Sequence, residues 1–160
     1  MKKVLVVNAG SSSLKYMLFD MQAEQMLCKG LVERIGIAGS RLVYAKAGAE
    51  KLVKEMPIPN HVAAIKAVMS VLCDASNGVV KSLKEVDAIG HRVVHGASLF
   101  AAPVKITAAT KKGIAKCSPL APLHNPANLD GITACEKACP GVPNVAVFDT
   151  AFHQTMPGCA

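Results

Sequence analysis

The sequence has no tryptophan and few aromatic residues of any kind, two tyrosines and four phenylalanines. Its basic runs never exceed two, at Lys2-Lys3 and Lys111-Lys112. Stacking nucleobases takes aromatic platforms beside basic clusters, so a net charge of +7 is weak support for a nucleic-acid partner. Long apolar runs are also missing. The uncharged apolar candidate Ala138 to Phe148 is broken by two prolines and a glycine, far short of the roughly 20 residues of a membrane helix. The start, Met1 to Val7, imitates a secretory signal for four apolar residues and then meets Asn8. No membrane span or leader is expected from this pattern. Cys28, Cys73, Cys117, Cys135, Cys139 and Cys159 include no C-x-x-C pair, and their apolar surroundings suit reduced thiols of a cytoplasmic protein.

What is present is a core. At 160 residues, 51% hydrophobic and only 18% charged, with mean hydropathy +0.33, the chain lies far from disordered compositions. A chain of this size buries about 70% of its unfolded surface. No repeat, low-complexity stretch or linker divides it, so residues 1–160 are expected to form one domain.

Residues 3–7 are nearly all Val and Leu, which suits a strand buried on both faces. Asn8-Ala9-Gly10-Ser11-Ser12-Ser13 is a small polar turn, and Leu14 to Asp20 is the returning strand. Further strands are expected at 26–35, 41–46 and 51–56, with Gly30, Gly36 and Gly39 at bends. Asn60 is a natural N-cap for a helix to about Asp74, whose Ile65, Val68, Met69 and Leu72 share one face. Then come a strand from Val86 to Val94, helices near 107–117 and 127–138, and a buried strand from Val145 to Phe148. Asn125-Pro126 reads as the N-cap and first residue of the last helix. Antiparallel strands followed by alternating helix and strand make an α/β unit.

The chemistry-bearing residues fall at strand ends and turns. Gly10 to Ser13 offers backbone N–H groups and hydroxyls without bulk, and Lys15 adds a mobile charge; an ordinary Ser/Gly hairpin turn has the same composition. It is not a Walker loop, since G-x-x-x-x-G-K-[ST] is absent. His91 and His95 share a strand face, but two ligands without a third make a poor metal site, so hydrogen-bonded core histidines are favoured. Arg92 sits near the carboxyl end of a buried strand. Its planar fork suits a carboxylate or phosphate, or a structural ion pair. Prolines on both sides stiffen the loop that holds His124. Asp149 emerges where a buried strand ends, placed to bind Mg²⁺, to orient a nucleophile, to act as a base or to cap a turn.

Taken together, Val7-Asn8-Ala9-Gly10-Ser11-Ser12-Ser13-Leu14-Lys15 and Gly90-His91-Arg92-Val93-Val94-His95-Gly96 closely resemble the two signature segments of acetate kinases. Residues 121–128 and 147–157 extend the similarity over the chain in the same order. The resemblance implies a ribonuclease-H-like βββαβαβα lobe of the actin, Hsp70 and sugar kinase type, a mixed twisted sheet with flanking helices. It also implies that residues 1–160 are an N-terminal lobe, the nucleotide-binding C-terminal lobe lying outside this sequence. The implied activity is reversible, Mg²⁺-dependent phosphoryl transfer from ATP to acetate, giving acetyl phosphate and ADP, in a homodimer joined through the second lobe.

Carried over position by position, the resemblance gives Asn8 a part in placing the metal and Ser11, Ser13 and Lys15 contacts to phosphoryl oxygens. Arg92 would hold the acetate carboxylate, with Val94 and Leu123 lining its methyl pocket. His124 would donate to the transferring phosphoryl group and Asp149 would have an orienting or metal-linked role, since acetate is already ionised at neutral pH and needs no base. Ala97 departs from the pattern, standing where the family commonly has a second glycine. Without a second lobe the isolated chain is expected to fold but not to turn over. The alternatives are a propionate or butyrate kinase, and a non-catalytic phosphate-binding or scaffold lobe.

Overall fold

The computed structural model describes residues 2–150. Five antiparallel strands open the chain: β1 (Lys3–Ala9), β2 (Ser13–Asp20), β3 (Gln25–Glu33), β4 (Arg41–Lys46) and β5 (Leu52–Glu55). The helix α1 (His61–Leu72) then leads to β6 (Val86–Val93), which pairs parallel to β1. A two-residue strand, β7 (Val104–Lys105), precedes α2 (Ala108–Lys116) and α3 (Asn125–Ala138), and β8 (Asn144–Phe148) pairs parallel to β6. All eight strands form one mixed sheet in the order β5-β4-β3-β2-β1-β6-β8-β7. Residues 151–157 of the last matching motif lie outside the described residues.

Local chemistry accounts for the boundaries. Asn60 caps α1 as expected, its Oδ1 accepting from the Ala63 N–H at 2.9 Å, and Thr107 caps α2 in the same way. Gly36 and Gly39 turn the chain at φ +75° and +81°, where a side chain would be strained. Gly30 is different: β3 runs straight through it. The Tyr16 ring lies across it to donate a hydrogen bond to the Val43 carbonyl at 2.9 Å, and a Cβ there would sit 2.2 Å from the Tyr16 hydroxyl.

The expected start of α3 needs a correction. The helix begins at Asn125 rather than near Ala127, and His124 occupies the cap position without a side-chain cap bond. Asn125 is wholly buried within the first turn, its carboxamide serving instead the backbone of His95, two residues past the end of β6. Buried asparagine is costly unless fully hydrogen-bonded, and here the demand of a neighbouring strand end outweighs the capping preference.

Burial also corrects the reading of β1 as covered on both sides. Leu5, Val7 and Ala9 are buried while Val4, Val6 and Asn8 are half-buried. Among the described residues the helices lie on one face. α1 and the first core cluster pack on Leu5, Leu14, Tyr16, Leu18, Val32 and Leu42, and a second cluster joins Ile114 of α2 and Ile132 of α3 to Val93, Ala146 and Phe148. Gly113 leaves room for the Phe100 ring and Gly96 for the Phe148 ring, and the two rings stack with centroids 4.4 Å apart. The opposite face, with Val4, Val6, Ala88, Gly90, Val145 and Val147, forms a shallow apolar trough. None of the described helices is long and apolar enough to cross a membrane.

Candidate active site

Strand periodicity puts alternate residues on opposite faces, so register decides which side chains share a side. Val7 pairs with His91 on the helix-covered face, and Asn8 pairs with Lys15 on the other. Arg92, between buried His91 and buried Val93, therefore stands on the open face with Asn8, Ser13 and Lys15. Asp149 follows β8, whose Phe148 pairs with Val93. The carboxyl ends of three adjacent parallel strands, β1, β6 and β8, thus gather these groups at one edge, where ligands of parallel α/β sheets bind.

Arg92 and Asp149, far apart in sequence, form a forked ion pair. Arg92 Nε donates to both carboxylate oxygens at 3.0 and 3.1 Å and Nη2 donates at 2.7 Å. The pair is half-exposed, and the charge-assisted hydrogen bonds that Arg92 donates to Asp149 raise the Arg92 pKa further. Both sequence alternatives for Arg92 meet here: its fork holds a carboxylate, and that carboxylate belongs to the protein. Asp149 engages Nε and Nη2, while Nη1 donates to none of the other described residues, so Nη1 and the second Nη2 proton can receive a second carboxylate.

The serine turn is held from three sides. The Gly10 N–H donates to the Ser13 carbonyl at 2.8 Å, the Ile35 N–H donates to the Ser12 carbonyl at 2.9 Å, and His61 Nε2 lies 2.7 Å from the Gly10 carbonyl. Ser11 remains exposed at the tip. Lys15 is exposed one pair along, beside Met17, Lys29 and Leu31. His124 holds the cap position just before α3, and Leu123 is 74% exposed. Val94 is half-buried; neither it nor Leu123 belongs to the two buried apolar clusters.

Of His91 and His95 only His91 is a core group on the strand; His95 lies two residues past the end of β6 and is half-buried. His91 is 3% exposed with Nε2 at 2.7 Å from Asn144 Oδ1, and burial lowers its pKa, so it is neutral near pH 7. His95 Nδ1 accepts from the Ala97 N–H at 2.9 Å. No group of three or more His, Cys, Asp and Glu among the described residues is arranged to hold a metal. The oxygen donors at hand, the Asn8 carboxamide and a carboxylate already engaged by Arg92, suit Mg²⁺ carried by a nucleotide's phosphates and not a resident ion in an all-protein cage. Burial pushes the thiols up, Cys28 to about 11 and Cys135 to about 12, which leaves them protonated and unreactive.

Four residues to which sequence reasoning gives no role in the chemistry touch the site, His61 outside the matched segments and Asn125, Asn128 and Thr150 inside them. Asn125 and Asn128, on successive turns of α3, bond to the ends of β1 and β6; His61 reaches the serine turn; and Thr150 Oγ1 accepts from the Gly96 N–H at 3.0 Å. Both asparagines stand, three residues apart, in the segment 121–128 that carries part of the resemblance.

The Acetokinase family profile matches residues 3–160. The chain belongs to that family. It is 58% identical over 155 residues to acetate kinase of Thermotoga maritima and 59% identical over 154 residues to that of Thermosipho melanesiensis. These alignments cover 97% and 96% of this chain but 38% of each relative, so the chain spans about two-fifths of their length. Among solved structures, Porphyromonas gingivalis acetate kinase superposes with TM-score 0.96 at 48% identity, over 100% of this chain and 40% of that one. A propionate kinase from Francisella tularensis gives 0.89 at 40% identity, over 99% and 40%. With the family comes the fold, an α/β lobe of the actin, Hsp70 and sugar kinase type, in agreement with the mixed sheet and flanking helices.

Proposed function

We propose that this chain is the N-terminal lobe of a carboxylate kinase that transfers the ATP γ-phosphoryl group to acetate, reversibly and with Mg²⁺, in a cytoplasmic homodimer joined through a second lobe. The observation that carries the reading is the forked Arg92–Asp149 pair at the open strand ends beside the serine turn. Asp149 fixes the plane of the guanidinium, and the Nη1–Nη2 edge of Arg92 then takes the substrate carboxylate. Ser11, Ser13 and Lys15 contact phosphoryl oxygens, and His124 at the head of α3 donates to the group in transfer. Asn8 is the residue that would hold the nucleotide's Mg²⁺, which supplies neutralisation of phosphate charge when bound.

Phosphoryl transfer between oxygens asks for positioning and charge stabilisation, and these groups supply both. No proton has to be removed from acetate, so Asp149 orients and does not act as a base. The adenosine site belongs to the second lobe, and a cleft with one wall cannot exclude water, so the 160-residue chain alone is inactive.

Propionate is the second reading, favoured by the 0.89 superposition on a propionate kinase and by the exposure of Leu123. One methylene in an apolar pocket is worth about 1–3 kcal/mol, so acetate and propionate should differ by about 10- to 200-fold at most. The test is acyl phosphate formation by the full-length protein on acetate, propionate and butyrate, beside an Asp149→Asn variant. Highest activity on acetate, lost in the variant, supports the proposal. A preference that rises with chain length moves the substrate to propionate or butyrate, and a folded full-length protein with no activity leaves a phosphate-binding or scaffold lobe.

A further inference from the structure

The β1–β6 ladder stops at the pair Val7 and His91, before either strand reaches the site. Beyond that pair the carbonyl of Ala9 and the N–H of Val94 have no strand partner, yet one leads into the serine turn and the other follows Arg92. Asn128 of α3, 3% exposed, takes both. Its Nδ2 donates to the Ala9 carbonyl at 2.8 Å and its Oδ1 accepts from the Val94 N–H at 3.1 Å. The partners fix which way round the amide lies, because a carbonyl needs a donor and an N–H needs an acceptor.

A single planar group thus extends the ladder past its end, and α3 is close enough to supply it because residue 131 is glycine. A Cβ there would stand 2.7 Å from the Ala9 Cβ, inside any normal contact. Asn125 does the same one turn earlier, pairing with both the N–H and the carbonyl of His95 at 3.2 and 2.8 Å.

We propose that Asn128 is a positioning residue that locks the phosphate-binding turn after β1 and the acid-binding end of β6 into one rigid unit. The inference rests on the carboxylate kinase reading above. In-line transfer requires the phosphoryl group and the attacking carboxylate to be aligned together, and a misplacement of about 1 Å can cost about 100-fold in rate. The two ends of the carboxamide serve different substrates, which makes their roles separable.

The test is made in the full-length protein. Asn128→Asp keeps the shape and the acceptor for Val94 but loses the donor to Ala9, so kcat should fall about 10- to 100-fold with KM for acetate within about twofold. Asn128→Ala loses both bonds, so KM for acetate should rise as well. Amide hydrogen exchange gives a readout free of activity: the Val94 N–H should exchange at least about tenfold faster in the Ala variant and remain protected in the Asp variant. Unchanged kcat and KM in both variants, with only a lowered melting temperature, would overturn the proposal, and so would a Val94 amide as protected in Asn128→Ala as in the parent. If the parent itself phosphorylates no short acid, the functional reading fails, and exchange at Val94 alone decides whether the clamp exists. If the Ala variant does not fold, the kcat and KM of the Asp variant decide.

Discussion

The two faces of the sheet are built from the same strands and have opposite characters. On one, Leu5, Val7, Leu14, Tyr16 and Leu18 lie wholly buried beneath the helices; on the other, Asn8, Ser13, Lys15 and Arg92 stand open at the strand ends with Asp149. Period-two alternation lets neighbouring residues serve stability and chemistry separately. If that division is real, substitutions on the covered face should cost stability with little change in the catalytic constants of the folded protein, and those on the open face should do the reverse.

The largest effect is expected from Leu18→Ala. Leu18 is fully buried near the β1–β2 turn's far end, opposite Leu5 and Cys28, and its truncation should cost about 2–5 kcal/mol through lost burial and the cavity left behind. Urea unfolding measures the loss, while KM for acetate in the surviving folded full-length protein should stay unchanged. A shifted KM would show that the two faces are not independent.

Arg92→Ala should invert this pattern. Its pair with Asp149 is half-exposed, so removing it should cost no more than about 1 kcal/mol of stability. Acyl phosphate formation should fall by about 100- to 1,000-fold or more, as for loss of one stabilising donor. A variant that unfolds, or one that keeps its rate, would place Arg92 among structural residues.

Much of this division was legible beforehand. The small polar residues from Asn8 to Ser13 between two apolar runs announced the first hairpin, and Asn60 announced α1, because turn and cap preferences act over a few residues. The resemblance supplied the candidate residues in order along the chain. What could not be read were consequences of distance in sequence: that Asp149 fills the fork of Arg92, 57 positions away, or that Asn128 reaches back 119 positions to Ala9. Asn125 was misread for the same reason, since its local role as a cap gave way to a partner 30 positions away, His95 just past β6. The uncovered face of β1 was equally invisible, as Val4 and Val6 are as apolar as the buried residues beside them.

A smaller effect, on pH dependence, probes the covered face where it comes nearest the site. His91 is held neutral by burial, so its folded pKa lies below the unfolded value of about 6.5. The unfolded chain then binds the extra proton first. This contribution to stability is complete above pH 6.5 and is lost as pH falls below it, with a slope of at most about 1.4 kcal/mol per pH unit. Glu85, whose bond from the Lys3 ammonium holds it down at about 2, titrates well below that window. Urea midpoints between about pH 7.5 and 5.5 should decline in the parent, and less steeply in His91→Gln. Equal slopes would mean that His91 takes up its proton without leaving the core.

The smallest effect is expected at Ala97, the residue standing where the family commonly has glycine. Its φ of +47° lies in the left-handed region, which costs an alanine about 1 kcal/mol or more. Ala97→Gly removes that cost but gives the unfolded chain more freedom, which takes back about 0.4–1 kcal/mol. The net change should therefore favour glycine by less than about 1 kcal/mol, a shift of a few degrees in melting temperature. Catalysis should not change, because the bond that shapes the turn runs from the backbone N–H of residue 97 to His95 Nδ1 and survives the substitution. Should kcat rise instead, the alanine would be restraining the turn after Arg92 on the open face, and strain there would have to be counted with the chemistry.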